Sequence, residues 1–325
     1  SSTPSGRPPE IRVVTRGEWA ARTLDDWRPL FEGMAGSLGR IAPTPEDADE
    51  PTADLIGGLT QFIGPMLLGM QAGSMVGHLA QTALGQYHLP IPRPRGDELL
   101  VVAANVESLA ASVDLAVNDV RMWVLLSELT HHTVLSRPHV GRRLTELFTD
   151  YVALFEPDVA NLEARLGEID PMNPSSFEEV LGDDPAQLIS SLRSPAQQML
   201  MNQIAALVSA LEGYVDYVVD SVAKRLIGAD ARVGGAIRAH RLEQHAADPI
   251  ASALFGIDMS SAVFERGRRF VDGVVERVGE DGLSRLWRSD LELPTPAEVD
   301  APGLWWERIN LPLDDDFPDS PDGIV

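Results

Sequence analysis

The spacing of apolar residues predicts a chain built mainly from α-helices. In the stretch 121–135, apolar residues recur every three or four positions, and Asn118 and Asp119 stand just upstream as helix-start signals. A second long apolar helix is predicted over 195–227, with Gly228 as its stop. The same spacing predicts shorter amphipathic helices at 18–38, 106–115, 140–155 and 262–278. The predicted fold class is therefore mainly α.

One short region carries a β signal. Residues 88–92 and 99–102 have the composition of short strands, and the turn-rich segment 93–97 lies between them. The pattern predicts that the two strands pair as a β-hairpin. The expected architecture is a helical domain with at most this small β-hairpin.

The predicted helix at 121–135 carries polar side chains on its apolar side. At 3.6 residues per turn, one stripe of this helix holds Val120, Val124, Ser127, His131 and Leu135. Glu128 borders that stripe. The sequence therefore directs a carboxylate and an imidazole into an apolar interior.

The stretch 55–87 contains no Asp, Glu, Lys or Arg, and Gly69, Gly73 and Gly77 repeat every fourth position. Such a stretch can be a membrane helix with a small-residue contact face, or a buried helix pair whose glycines let the backbones approach closely. Four glutamines would be costly in lipid, and Gly-Gly and Gly-Pro pairs interrupt the run. The buried helix pair is the favoured interpretation.

The charge balance restricts the partners of this protein. Its 325 residues include 26 basic and 49 acidic side chains, which give a formal net charge of -23. Nucleic acids and anionic membranes attract a basic surface, so neither is expected as a partner. The chain has no cysteine, which leaves His, Asp and Glu as candidate metal ligands. Nothing visible resembles a signal peptide, and a cytoplasmic protein is expected.

Composition divides the chain into three parts. Residues 1–10 are rich in Pro, Ser, Thr and Gly and are expected to be disordered. Residues 11–290 hold the predicted helices, and a hydrophobic content of 44% can supply the core of one domain. Residues 291–325 are rich in Pro, Asp and Glu and are expected to form an acidic tail, with Trp305 and Trp306 as its one docked segment.

The candidate chemistry lies in the central helix, which reads Ser127-Glu128-Leu129-Thr130-His131. A zinc hydrolase helix of the HExxH type places two imidazoles one turn apart on the metal, with the glutamate polarising the metal-bound water. Here Ser127 replaces the leading histidine, and a serine hydroxyl is a poor zinc ligand. The motif is therefore degenerate at one ligand.

A pair of carboxylates follows in the second long helix. Glu212 and Asp216 are four residues apart, so both lie on one side of a helix that is predicted to be buried. Like charges at this spacing repel each other, and some other group should compensate for them. In a zinc site Glu212 would be the third protein ligand, and Asp216 would orient a ligating histidine by accepting its hydrogen bond.

Landmark segments occur in order along the chain, at 85–90, 100–106, 123–131, 211–216 and 264–287. Together they resemble an uncharacterised zincin-like family of actinobacteria and relatives, described as zinc hydrolases of the metallopeptidase type. The resemblance spans most of the chain. It implies a zincin-like fold and a hydrolase that acts on peptide-like bonds, with zinc as cofactor and a peptide or protein as partner.

The resemblance also implies a role for each candidate residue. Glu128 matches the general base, His131 a zinc ligand and Glu212 the third ligand. Asp216 matches the residue that orients a ligand, and Ser127 stands at the position of the lost histidine.

Two functions stay open at this point. The chain is either a metal-dependent hydrolase that is impaired or inactive because it has lost a ligand, or a non-catalytic pseudoenzyme scaffold that binds a peptide or protein without zinc. An isolated buried glutamate and histidine can also be a purely structural pair. His132 could take the lost ligand position, but it lies about 100° around the helix from His131 and does not reproduce the original geometry. Glu128 could become a ligand instead of the base, but the water would then lose its proton acceptor. A separation of more than about 8 Å between the His131 and Glu212 side chains would remove the shared zinc site.

Overall fold

The computed structural model describes residues 8–39, 66, 68–91, 93–94, 96–154, 194–226, 231–246, 255–257 and 259–311. Within these residues the chain forms the short strands β1 (Glu10–Val13) and β2 (Glu98–Val101). The longer helices are α1 (Arg16–Gly39), α2 (Ala103–Ser112), α3 (Val117–Leu135), α4 (Pro138–Ala153), α5 (Pro195–Leu226), α6 (Ala231–Ala246) and α7 (Ser261–Val278). The shorter ones are α8 (Glu280–Leu283), a 3-10 helix (Asp290–Glu292), α9 (Pro296–Asp300) and α10 (Pro302–Asn310). The predicted mainly-α class is confirmed.

Helix α5 is central to the fold because it contacts α3, α4, α7 and α9. Its buried residues recur at three- and four-residue spacing and include Ile204, Leu207, Val208, Leu211, Val215 and Val219. On the side toward α7 the two backbones touch. A Cβ on Gly267 would lie 1.9 Å from the carbonyl oxygen of Ser209, and a Cβ on Gly213 would lie 2.3 Å from the carbonyl carbon of Gly267. These two glycines therefore permit the close packing of α5 on α7.

The two strands form a parallel pair and not the predicted hairpin. Residues Glu10–Val13 pair in register with Glu98–Val101. The strand predicted at 99–102 is thus present as β2, but its partner comes from the N-terminus of the chain. The described residues of 88–92 contain no strand.

Proline explains why the described residues of 88–92 do not join a sheet. Pro90 and Pro92 lack a backbone N–H, and residues two apart direct their N–H groups to the same strand edge, so that edge would have no donor at either position. Leu89 and Ile91 are instead buried in the core. The segment therefore supplies apolar side chains, and β2 pairs with β1.

The folded part of the chain extends past the predicted boundary at residue 290. Helices α9 and α10 pack against α7, and Trp305 of α10 is fully buried. Its indole Nε1 donates a hydrogen bond to the carbonyl oxygen of Glu292 (2.7 Å), and its ring meets that of Phe270 edge to face at 5.7 Å. Residues 312–325 of the predicted tail and residues 1–7 lie outside the described residues.

The uncharged, glycine-rich segment is described only from residue 66 onward. Among the described residues, no helix is long and apolar enough to cross a membrane. The helix at 68–79 buries Met75, Val76 and Leu79 in the core. The expected close approach at Gly69, Gly73 and Gly77 is not present with any described residue, because a Cβ at each would meet nothing within 4 Å.

Candidate functional site

The candidate residues lie where α3 and α5 contact each other in the interior. Ser127, Glu128 and His131 on α3 and Glu212 on α5 are 2%, 4%, 0% and 2% exposed. Their burial follows from the helical spacing, since they share turns with the apolar residues that face the core. Four polar or ionisable groups therefore meet in a place with little access to water.

His131 makes a hydrogen bond at each ring nitrogen. Its Nδ1 lies 2.9 Å from the carbonyl oxygen of Ser127, and its Nε2 lies 3.1 Å from Glu212 Oε1. Because a carbonyl oxygen only accepts hydrogen bonds, Nδ1 carries a proton and donates it. The contact at Nε2 then requires a second proton, on either the imidazole or the carboxylate. His131 and Glu212 therefore converge at the distance that a shared site requires.

Arg241 of α6 brings a cation into the same cluster. Its Nη2 donates a hydrogen bond to Ser127 Oγ (2.8 Å), and its Nη1 donates one to Glu212 Oε2 (3.1 Å). Nη1 also lies 3.9 Å from Asp216 Oδ1. The guanidinium carbon is 5.7 Å from the centre of the Trp123 ring, within the range of a cation–π interaction. The guanidinium thus links Ser127, where the sequence predicts a lost ligand, to Glu212, the predicted third ligand.

Glu128 borders this cluster and is held by the loop that precedes β2. Its Oε2 accepts a hydrogen bond from the N–H of Tyr87 (2.9 Å). Gly85 leaves room for the carboxylate in this position, because a Cβ there would lie 2.3 Å from Glu128 Cδ. The Tyr87 ring stacks on His131, with 5.8 Å between ring centres and 17° between planes. One loop therefore positions both the carboxylate and the imidazole.

Burial raises the pKa of two carboxyl groups at the site. Removal from water raises the pKa of Glu128, and the charge of His131 and the Tyr87 hydrogen bond partly offset this effect. Burial also raises the pKa of Asp216, and the charge of Arg241 opposes it. Both groups therefore hold their protons to higher pH than carboxyl groups in water do.

We expect Glu128→Gln to stabilise the protein increasingly as pH rises. Because the folded pKa is above the unfolded value, the carboxyl stabilises the fold in its protonated form, and this contribution is lost as pH rises through the folded pKa. Glutamine cannot ionise, and its side-chain oxygen can still accept the Tyr87 hydrogen bond. Urea unfolding between about pH 5 and pH 8 should show a growing difference in unfolding free energy. Glu265→Gln, on the exposed side of α7, should show none. A gap between wild type and Glu128→Gln that is constant with pH would contradict the assignment.

The space next to Glu128 is small. A cavity of about 20 Å³ is bounded by residues of α3, α6 and the loop at 84–88, among them Ser127, Ile237 and Arg241. About 10–15 Å³ is enough for one water molecule. In this arrangement the site has room for a water molecule but not for a peptide.

The structure brings Ser127, His131 and Glu212 together and places Asp216 at their edge. His131 is oriented through Nδ1, which donates its hydrogen bond to the carbonyl oxygen of Ser127. The Asp216 carboxylate, which the sequence suggested for this task, lies beside Arg241 instead. The predicted residues therefore meet, but Asp216 neighbours a cation and not a histidine.

Sequence reasoning missed Arg241 and Tyr87. Tyr87 acts through its backbone N–H, which no side-chain pattern reveals, and its hydroxyl lies 2.9 Å from His132 Nδ1. His132 therefore contacts Tyr87 through this nitrogen. The one signal for Arg241 was the need of Glu212 and Asp216 for a compensating charge, which indicates a cation but not its position in the chain.

The residues present do not fit a catalytic zinc ion. Such sites have three protein ligands and a water molecule. Among the described residues, no group of three or more His, Asp or Glu side chains is arranged to hold a metal. His131 and Glu212 are suitable donors, but the third position holds the Ser127 hydroxyl, which already accepts a hydrogen bond from Arg241. The guanidinium charge beside Glu212 would also repel a divalent cation.

Comparison with known proteins identifies the family. The model of the zincin-like metallopeptidase family matches residues 1–306. A crystal structure from Chloroflexus aurantiacus, of a candidate hydrolase with a novel fold, is similar to this chain with a TM-score of 0.63 and 24% sequence identity, and the match covers 94% of this chain and 83% of that chain. No curated protein matches the chain. Because the family model covers nearly its whole length, this protein belongs to the zincin-like metallopeptidase family.

Proposed function

We propose that this protein is a metallopeptidase-like hydrolase homologue whose zinc centre has lost one ligand and whose hydrolytic activity is impaired or absent. One observation carries the proposal. Where the family motif requires a zinc ligand, the Ser127 hydroxyl accepts a hydrogen bond from Arg241 at 2.8 Å. A hydroxyl in this state is a weak donor to zinc.

The chemistry of zinc hydrolases explains why this change impairs the reaction. When bound by three protein ligands, zinc lowers the pKa of its water to about 7 and leaves a position for the substrate. Loss of even an outer partner of a ligand costs about 10–100-fold in metal affinity or activity, and loss of a ligand costs more. His131 and Glu212 are the two remaining donors, and Glu128 is the remaining general base.

Metal content and peptidase activity test the proposal together. The purified protein is incubated with excess zinc, freed of unbound metal, and analysed by mass spectrometry for zinc per chain. Hydrolysis of a mixture of quenched fluorescent peptides is measured in the same sample. We expect zinc far below one per chain and no hydrolysis that depends on Glu128.

Glu128→Gln is the matched control for this activity, because any hydrolysis that persists in it comes from a contaminant. Zinc close to one per chain in the wild type, lost in Glu212→Gln, would contradict the proposal. Hydrolysis by the wild type at a rate typical of family enzymes would also contradict the proposal if Glu128→Gln abolished it. The circular dichroism spectrum of each variant should be measured, so that loss of the site is distinguished from loss of the fold.

A second candidate is a pseudoenzyme scaffold that binds a peptide or protein without metal. The observation that favours it over hydrolysis is the small space at the site, because a cavity of about 20 Å³ admits no peptide substrate, and a partner would have to bind elsewhere on the protein. We infer from the net charge of -23 that neither nucleic acid nor an anionic membrane is the partner, and we propose a cytoplasmic location. A scaffold does not need Glu128, so Glu128→Gln should restore function in a cell that lacks the protein. Failure of this folded variant to do so would favour residual catalysis.

A further inference from the structure

We infer that Arg241 is the resident cation of this site and takes the electrostatic place of a metal ion. The inference rests on the proposed function, because it concerns the same site with the same lost ligand. It explains why the buried carboxylates are stable without a metal ion, because a side chain of the protein itself neutralises their negative charge.

The carboxylates of α5 create the need for a cation. Glu212 is 2% exposed, and the Asp216 side chain, one turn later, is 18% exposed. Asp216 Oδ1 is buried and makes no hydrogen bond with the described residues. Buried carboxylates are costly unless an opposite charge lies within about 4–6 Å. Arg241 meets this condition for both, at 3.1 and 3.9 Å.

Arg241 also connects helices in the way that a metal ion connects its ligands. Its two terminal nitrogens bond to Ser127 on α3 and to Glu212 on α5, while its own backbone belongs to α6. The side chain is 13% exposed, and its guanidinium lies over Trp123 of α3. A planar guanidinium suits this arrangement because it donates in two fixed directions at once. One side chain therefore joins three helices at a single positive charge.

Ser127 and Arg241 form a matched pair. The small hydroxyl leaves space for Nη2, which approaches Oγ to 2.8 Å. An imidazole at position 127 extends beyond the place of Oγ and would enter the space of the guanidinium. The histidine that zinc needs and the arginine that is present therefore exclude each other. Restoring the motif alone should leave zinc affinity low while Arg241 is present.

Rescue by a soluble cation tests the role of Arg241. We expect R241A to lower the thermal unfolding midpoint by about 6 °C or more. Guanidinium chloride at about 10 mM, far below the molar concentrations that unfold proteins, should recover at least about half of that loss, and sodium chloride at equal ionic strength should not. R238A is the matched control, because Arg238 lies on the same helix and pairs with the more exposed Asp220 at 3.3 Å. Its midpoint should not respond to guanidinium. A midpoint of R241A equal to that of R238A, or an absence of rescue, would overturn the inference.

A second pair of variants keeps the test decisive if R241A does not fold. R241K retains the charge on a side chain of similar length, whereas R241M removes the charge with a similar volume. We expect R241K to unfold at a higher temperature than R241M at neutral pH. Equal midpoints would show that the positive charge is not needed and would overturn the inference.

Zinc titration tests the exclusion of histidine by arginine. We expect S127H/R241A to bind zinc at least about tenfold more tightly than S127H, because only the double variant offers three donors without a neighbouring cation. Affinities within a factor of about two would overturn the inference. Zinc content of the wild type tests the proposed function, whereas guanidinium rescue and this comparison test Arg241. The two ideas can therefore fail separately.

Discussion

Gly267→Ala is expected to lower the free energy of unfolding by about 3 kcal/mol, near the upper end of typical overpacking costs. The new Cβ would lie 1.9 Å from the carbonyl oxygen and 2.7 Å from the carbonyl carbon of Ser209. Both are backbone atoms, so no side-chain rotation can relieve the contact. Helices α5 and α7 would have to separate, and the apolar face that they share would be partly exposed.

Gly36→Ala is the matched control for this change. Gly36 also lies inside a helix, but a Cβ there meets nothing within 4 Å. Alanine should therefore stabilise the protein slightly, by roughly 0.5–1 kcal/mol, through its higher helix propensity. Urea unfolding of both variants measures the difference. If Gly267→Ala were as stable as the wild type, the direct backbone contact of α5 and α7 would be wrong.

Trp305→Ala is expected to cost about 3–5 kcal/mol, the usual range for removing a large buried aromatic side chain. The indole is fully buried, packs against Phe270 and donates a hydrogen bond to the carbonyl of Glu292. Its removal therefore leaves both a cavity and a carbonyl without that donor. The effect would establish that residues beyond 290 belong to the folded domain.

The neighbouring residue provides the control for Trp305. Leu304 lies on the same helix but is 58% exposed, so Leu304→Ala should change stability by no more than about 0.5 kcal/mol. Guanidine unfolding followed by circular dichroism compares the two variants. If Trp305→Ala unfolded at the same guanidine concentration as Leu304→Ala, the docking of α10 on α7 would be contradicted.

Helical periodicity was sufficient to predict which candidate residues meet. Ser127 and His131 share a face of α3 because four residues make about one turn, and Glu212 lies among the buried residues of α5. Two helices with such faces bury them against each other. The meeting of His131 and Glu212 at 3.1 Å therefore follows from local spacing and the hydrophobic effect.

The residues that sequence could not locate act over long separations or through the backbone. Arg241 stands in a polar stretch whose composition resembles a solvated surface, and nothing in its spacing indicates that it turns inward. The charges of Glu212 and Asp216 required a cation, but charge acts through space and does not specify a sequence position. Tyr87 contributes an N–H that every residue except proline has.

The prediction of a local β-hairpin was wrong for a related reason. Turn-forming residues at 93–97 favoured a local hairpin, yet Pro90 and Pro92 remove the donors that such a hairpin needs. The actual partner of β2 is β1, far earlier in the chain. Turn-forming residues indicate only whether neighbouring segments can pair, and they carry no information on a pairing between segments that are distant in the sequence.

That distant pairing also bears on the order of events when the chain refolds. The polypeptide between Val13 and Glu98 has to close into a loop before the first hydrogen bond between the strands can form. The chain loses the conformational entropy of this loop closure before any contact between the strands stabilises it. Contacts of this kind are slow to form compared with those inside helices. We therefore expect the N-terminal strand to join the helices late in folding, so that shortening it would speed unfolding and leave the refolding rate nearly unchanged.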